Sequence, residues 1–229
     1  MPASLKAVLF DAGNTLLFLD HDRIAAAVGA ALGLALDARR LAASAAAAAR
    51  AAEAARGPDR DRARVYLEAL FTGAGVPPSR MVDVGECLRR LHGESHLWGR
   101  LAPGTREALE RLRAGGLRLG VVSNSDGRVE EALIASGLRD CFDVVLDSAH
   151  VGVEKPDPAI FRAALGALGV APAEALYVGD LYEVDVVGAR AAGMAAALLV
   201  PDLSGPAPDC PRFPSLAALA DDLLNGGRP

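Results

Sequence analysis

Five side chains stand where they could do chemistry together: Asp11, Ser123, Lys155, Asp180 and Asp185. Asp11 directly follows the apolar run Ala7-Val8-Leu9-Phe10, and Asp180 follows Ala175-Leu176-Tyr177-Val178-Gly179. Ser123, with Asn124 behind it, closes the run Val121-Val122, and Lys155 precedes Pro156-Asp157-Pro158. Carboxylates from Asp11, Asp180 and Asp185 could converge on one hard cation. Mg²⁺ takes one or two carboxylates, keeps waters and binds substrate phosphate. The Ser123 hydroxyl and the Lys155 ammonium could hold the other phosphate oxygens. Asp11 would then be placed for in-line attack on phosphorus as a covalent nucleophile. Each residue alone has a plainer reading: a strand-end turn for Asp11, loop chemistry for Ser123 and Asn124, a solvated lysine, a helix N-terminal acid for Asp185. Their joint occurrence at successive strand ends outweighs these.

The elements that must position them are legible as apolar runs. Strands are predicted at Ala7–Phe10, Arg118–Val122, Asp143–Leu146, Ala175–Val178 and Ala195–Val200. Short runs apolar on both faces suit parallel strands buried under helices. Helical patterns intervene, as at Thr105–Ala114 and Pro158–Leu168, with Asp157 and Pro158 as N-cap and first-turn proline. The alternation predicts an α/β fold, a doubly wound, mostly parallel Rossmann-like sheet, which binds ligands beyond the carboxyl ends of its strands. It is interrupted once. Residues 20–96 read as helix: His21–Leu36, Asp37–Arg56, Asp59–Gly73 and Pro78–His92. A coil of that length is implausible, and the alanine content favours helix. The predicted organisation is a core of residues 1–18 and 97–229 with an inserted helical cap at 19–96. The proline-rich stretch after Leu203 reads as a loop before a final helix, Leu216–Leu224.

The chain has 229 residues, 52% of them hydrophobic and 23% charged, an ordinary balance for one globular domain with an insertion. A net charge of -5 gives no electrostatic footprint for nucleic acid. Cys87, Cys141 and Cys210 have neither CxxC nor Cys/His spacing, so neither zinc nor a disulfide framework is expected. Arg50 and Glu53 interrupt the apolar run from Leu41 to Ala55, which argues against a membrane span. No signal peptide is visible, and a cytoplasmic monomer or homodimer is the expectation.

These motifs, in this order, resemble those of the haloacid dehalogenase-like hydrolase superfamily. The first is Asp11 through Thr15, the second Val121-Val122-Ser123-Asn124 and the third Lys155-Pro156-Asp157-Pro158. The fourth is Gly179-Asp180-Leu181-Tyr182-Glu183-Val184-Asp185, followed by Gly188-Ala189. The resemblance implies that Asp11 is the nucleophile and a Mg²⁺ ligand. The Gly13 carbonyl and the Asp180 side chain would complete the protein's metal ligands, with Asp185 a more distant or water-mediated partner. Ser123, Asn124 and Lys155 would bind the phosphoryl group of a small phosphorylated substrate, under a helical cap that selects it.

One departure matters. Phosphatases of this kind usually carry a second Asp two residues after the nucleophile, which protonates the leaving alcohol and then activates water. Here Gly13 stands in its place. A positioned acid–base contributes roughly 10²–10⁴-fold, so a slow phosphatase, or one favouring leaving groups that need no proton, is expected. Asp20, His21 and Asp22 are conceivable substitutes. Phosphonate hydrolases share the departure but use a cap lysine, and no lysine lies between Lys6 and Lys155. Ion-pumping ATPases share it too but need membrane helices. Haloacid dehalogenases attack carbon without Mg²⁺, and Asp180 and Asp185 weigh against that. A non-catalytic phosphate-ligand binder of the same fold is the remaining alternative.

Overall fold

We describe the chain from a computed structural model over residues 5–201, 203 and 209–226. It divides into two compact units, one of residues 1–18 and 100–229, the other of residues 19–99. The strands are β1 (Ala7–Phe10), β2 (Leu17–Leu19), β3 (Trp98–Leu101), β4 (Arg118–Ser123), β5 (Val144–Asp147), β6 (Ala175–Gly179), β7 (Ala195–Leu199) and β8 (Arg212–Phe213). Among the described residues no helix is long and apolar enough to cross a membrane, and Cys87, Cys141 and Cys210 are free thiols.

The first unit is a six-stranded sheet in the order β5-β4-β1-β6-β7-β8. Every pairing in it is parallel. All four residues of β1 are fully buried, as both faces of a central parallel strand must be. From β1 the chain builds outward through β4 and β5 on one side, then returns to lay β6, β7 and β8 on the other. Strand order therefore reverses at β1, and the crevice beyond the carboxyl ends of such strands is where ligands bind in open α/β sheets.

Helix Pro158–Leu168 shows how the core is held. Asp157 accepts a hydrogen bond from the Ala159 amide at 2.9 Å and Pro158 occupies the first turn. Ile160, Phe161, Ala164, Leu165 and Leu168 pack with Leu9, Tyr177, Val186 and Met194. Burying Ile160 or Phe161 stabilises the fold by about 1.5–3 kcal/mol each.

The second unit consists of helices His21–Leu32, Ala38–Ala54, Asp59–Gly73 and Met81–Glu94. It has its own core, including Ile24, Val28, Leu41, Leu70, Phe71, Val84 and Leu88. The first helix is shorter than its sequence pattern. It ends at Leu32 because Gly33 turns left-handed at φ 66, and the Leu34 amide closes back on the Gly29 carbonyl at 2.9 Å. The fourth begins as a 3₁₀ turn at Pro78–Arg80 before continuing from Met81. Three short strands have no counterpart in the sequence reading. Strands β2 and β3 pair with each other where the chain passes between the units. Strand β8 pairs with β7 inside the proline-rich stretch read as a loop, of which residues 204–208 lie outside the described residues.

Candidate active site

Three neighbouring strands end at the candidate residues. Register pairs Phe10 with Val121 on one side and with Val178 on the other. Asp11 thus leaves β1 level with the last residues of β4 and β6. Its amide donates to the Val178 carbonyl at 2.9 Å, which fixes where the carboxylate begins. Ser123 is the buried last residue of β4, and half-buried Asp180 follows β6 directly. Asn14, left-handed at φ 56, turns the chain after β1 so that Gly13 pairs with Leu17. Asparagine tolerates that conformation better than most residues.

Lys155 binds the site together. Its Nζ donates to Asp11 Oδ1 at 2.6 Å, to Asp185 Oδ1 at 2.7 Å and to the Tyr177 hydroxyl at 2.9 Å. Lys155 is 3% exposed, Asp11 7% and Asp185 1%, so this is a desolvated cluster rather than a surface ion pair. One ammonium facing two carboxylates leaves an excess negative charge. Burial, with Asp185 adding to it, raises Asp11 from 3.8 to about 6 in spite of Lys155. Burial by itself would lower Lys155, but Asp11 and Asp185 outweigh it and hold the ammonium well above its ordinary value. Burial also pushes Tyr177 well above 10.0, which keeps its hydroxyl neutral.

The loops carrying these groups are fixed by side chains. Asp185 Oδ2 accepts from the amides of Asp180 at 3.1 Å and Leu181 at 3.0 Å, so Asp185 shapes the turn after β6. Gly179 makes that possible: a Cβ there would lie 2.2 Å from Asp185 Oδ2. Asn124 clamps Lys155 by its backbone, accepting from its amide at 2.8 Å and donating to its carbonyl at 3.0 Å. Asp147, at the end of β5, receives the amides of Gly127 and Ala149 at 3.0 Å and of Val129 at 3.2 Å. Ser148 Oγ receives the Ser125 amide at 3.1 Å. Together these hold the loop behind Ser123.

The structure therefore brings Asp11, Lys155 and Asp185 into direct contact, ties Asn124 to Lys155, and sets Ser123 and Asp180 on the strands flanking β1. Asp20 caps helix His21–Leu32 by accepting from the Arg23 amide at 3.0 Å, which occupies one of its oxygens. His21 and Asp22 open the same helix. Tyr177 and Asp147 were not foreseen. Asp147 carries the signal shared by the others, an acid closing an apolar run, whereas Tyr177 lies within one.

The donor set can be tested against Mg²⁺. Asp11 and Asp180 offer carboxylates from adjacent strands, and Gly13 offers a backbone carbonyl in the turn between β1 and β2. These are all hard oxygen donors beside an excess of negative charge, and they fit a small divalent cation.

Comparison with known proteins agrees with this architecture. Over 125 residues the chain is 44% identical to the mouse haloacid dehalogenase-like hydrolase domain-containing protein 3, covering 54% of this chain and 49% of that protein. Over 141 residues it is 40% identical to a phosphoserine phosphatase of Thermus thermophilus, covering 61% and 54%. The chain thus spans about half the length of these relatives. Among solved structures it matches a HAD phosphatase from Thermococcus onnurineus with a TM-score of 0.60 and 26% identity, over 98% of this chain and 100% of that one. It matches a 2-haloacid dehalogenase from Pseudomonas syringae with a TM-score of 0.58 and 26% identity, over 97% and 99%. The family profile of the haloacid dehalogenase-like hydrolases matches residues 5–193, which include every site residue described above, and the chain belongs to that family.

Proposed function

We propose that this chain is a Mg²⁺-dependent phosphatase that transfers the phosphoryl group of a small phosphorylated metabolite to Asp11 and then to water. The observation that carries this reading is the buried Lys155 bridging Asp11 and Asp185 where β1 and β6 end. The likeness to a phosphoserine phosphatase and to a HAD phosphatase supports it.

In the first half-reaction an Asp11 carboxylate oxygen bonds to phosphorus while the bond to the leaving oxygen breaks. The charge of Lys155 and the Ser123 hydroxyl would stabilise the non-bridging phosphoryl oxygens as they move. In the second, water attacks the same phosphorus, orthophosphate departs and the Asp11 carboxylate returns. Asp11, the Gly13 carbonyl and Asp180 would hold the cation, which when bound supplies charge neutralisation to the phosphoryl oxygens. Asp185 serves this set by fixing the Asp180 turn and bracing Lys155, and would act on the cation indirectly. Asn124 serves substrate binding through its clamp on Lys155.

Gly13 offers no carboxyl to protonate a leaving alcohol or to activate water. Turnover is therefore slow, or best with aryl and acyl phosphates, whose leaving groups depart without a proton. Attack by Asp11 on carbon is the second reading, favoured by the likeness to a 2-haloacid dehalogenase at equal identity. The acids of the β6 turn weigh against it. The test assays the parent chain and Asp11→Asn with an aryl phosphate, in Mg²⁺ and in EDTA. Turnover confined to the parent in Mg²⁺ is expected. Phosphate release that survives either change refutes the reading, and halide release from a 2-haloacid without metal establishes the second.

A further inference from the structure

Packing alone gives no reason for the hydroxyl of Tyr177. The ring lies in the apolar core, edge-on to Phe161 with 4.9 Å between centroids, where phenylalanine would fill the same space. A hydroxyl taken into such a core costs free energy unless its donor and acceptor sides are both met. Both are met, and both partners belong to the site. The oxygen accepts from Lys155 Nζ at 2.9 Å, and the O–H donates to the Val122 carbonyl at 2.8 Å, one residue before Ser123.

An ammonium has three N–H bonds. Those of Lys155 go to Asp11 Oδ1, Asp185 Oδ1 and the Tyr177 hydroxyl. Three fixed acceptors stop the group from rotating about its terminal bond. The N–H aimed at Asp11 then points at the carboxylate that would carry the phosphoryl group. Without the Tyr177 hydroxyl only one fixed acceptor remains besides the nucleophile itself. The third acceptor is also neutral. A further carboxylate there would deepen the excess of negative charge against an incoming phosphoryl group, whereas a hydroxyl sets the direction of the ammonium and adds no charge.

We propose that Tyr177 is a positioning residue: it aims the Lys155 ammonium at the phosphoryl group on Asp11 and ties it to the strand end that presents Ser123. This rests on the reading of Asp11 as phosphoryl acceptor.

The test uses the full chain and Tyr177→Phe, each with ¹⁵N-labelled lysine. The chain has two lysines, Lys6 and Lys155. Lys6 is exposed, so the slowly exchanging ammonium signal belongs to Lys155. In the variant that signal should move and exchange with water at least about tenfold faster, with the fold kept. With an aryl phosphate and Mg²⁺, kcat should fall about tenfold to a hundredfold, the range for a hydrogen bond to a charged group expressed in the transition state. KM should change by less than about threefold, since the interaction acts on the transition state more than on ground-state binding. An unmoved Lys155 signal, or a kcat equal to the parent's, overturns the proposal. Should Tyr177→Phe not fold, incorporation of 3-fluorotyrosine keeps the hydroxyl and the packing but weakens the acceptor. It should shift the same signal and lower kcat, and failure to do either overturns the proposal equally. A parent that hydrolyses no phosphate ester overturns the functional reading, and the positioning role with it, before any variant is compared.

Discussion

Lys155 Nζ lies 2.6 Å from Asp11 Oδ1, so the residue read as the nucleophile is also the counter-ion of the residue read as the phosphoryl holder. The pair is not balanced, because Asp185 claims the same ammonium at 2.7 Å. Buried charges of this kind stabilise a fold only when paired and hydrogen-bonded throughout, and removing one partner is costly. The cluster is therefore better understood as an arrangement kept for function, and its excess negative charge is what a divalent cation would offset.

That excess predicts a pH dependence of stability in metal-free protein. Asp11 stands at about 6 in the folded chain against 3.8 for an ordinary Asp. The folded state thus binds the proton more tightly, and the contribution of Asp11 to stability is full below about pH 4 and lost as pH rises through about 6. Asp11→Asn has no such proton to lose. Urea unfolding in EDTA at about pH 5 and about pH 7 should show the parent losing stability relative to the variant at the higher pH. A gap that stays constant, or moves in the parent's favour, contradicts the assignment.

A second prediction concerns Gly13. If the missing acid limits the rate, Gly13→Asp should accelerate hydrolysis of alkyl phosphates by up to about 10²–10⁴-fold. Aryl and acyl phosphates should gain much less, since their leaving groups need no proton. Steady-state rates on a matched pair of alkyl and aryl substrates check it. An equal gain on both would show that another group supplies the proton.

The sequence makes part of this site visible and hides the rest for physical reasons. Asp11, Ser123 and Asp180 each end an apolar run, and a polar residue at the end of a buried strand is exposed to reading by its contrast. Lys155 stands out because lysine is nearly absent. Tyr177 is hidden because an aromatic within an apolar strand reads as core, and its polar partner is 22 residues away in the chain. The part of Asp185 is likewise set by a fold-level encounter, with an ammonium and two amides that no spacing announces. The central strands and the helices Thr105–Ala114, Pro158–Leu168 and Leu216–Leu224 are legible because each holds a clear apolar pattern. Strands β2 and β8 have three and two residues, too few for a pattern to show, and the four residues of β3, Trp98-Gly99-Arg100-Leu101, lack the continuous apolar run that marks β1.

A third prediction tests the turn after β6. In Gly179→Ala the new methyl would sit 2.2–2.6 Å from the Asp185 side chain, so the turn must shift. Overpacking at a fully buried position costs roughly 1–3 kcal/mol. The urea midpoint should fall and the Mg²⁺ concentration required for activity should rise. A variant with the parent's midpoint and metal requirement would show that Asp185 does not depend on this close approach.

The most direct measurement is capture of the phosphoryl group itself. The chain is mixed with a slow-turnover acyl or aryl phosphate in Mg²⁺, quenched in acid and mapped by mass spectrometry. A phosphoryl adduct on the peptide containing Asp11, absent from Asp11→Asn and from protein mixed in EDTA, is the predicted result. Turnover without an adduct on that peptide, or an adduct on another residue, would contradict the account.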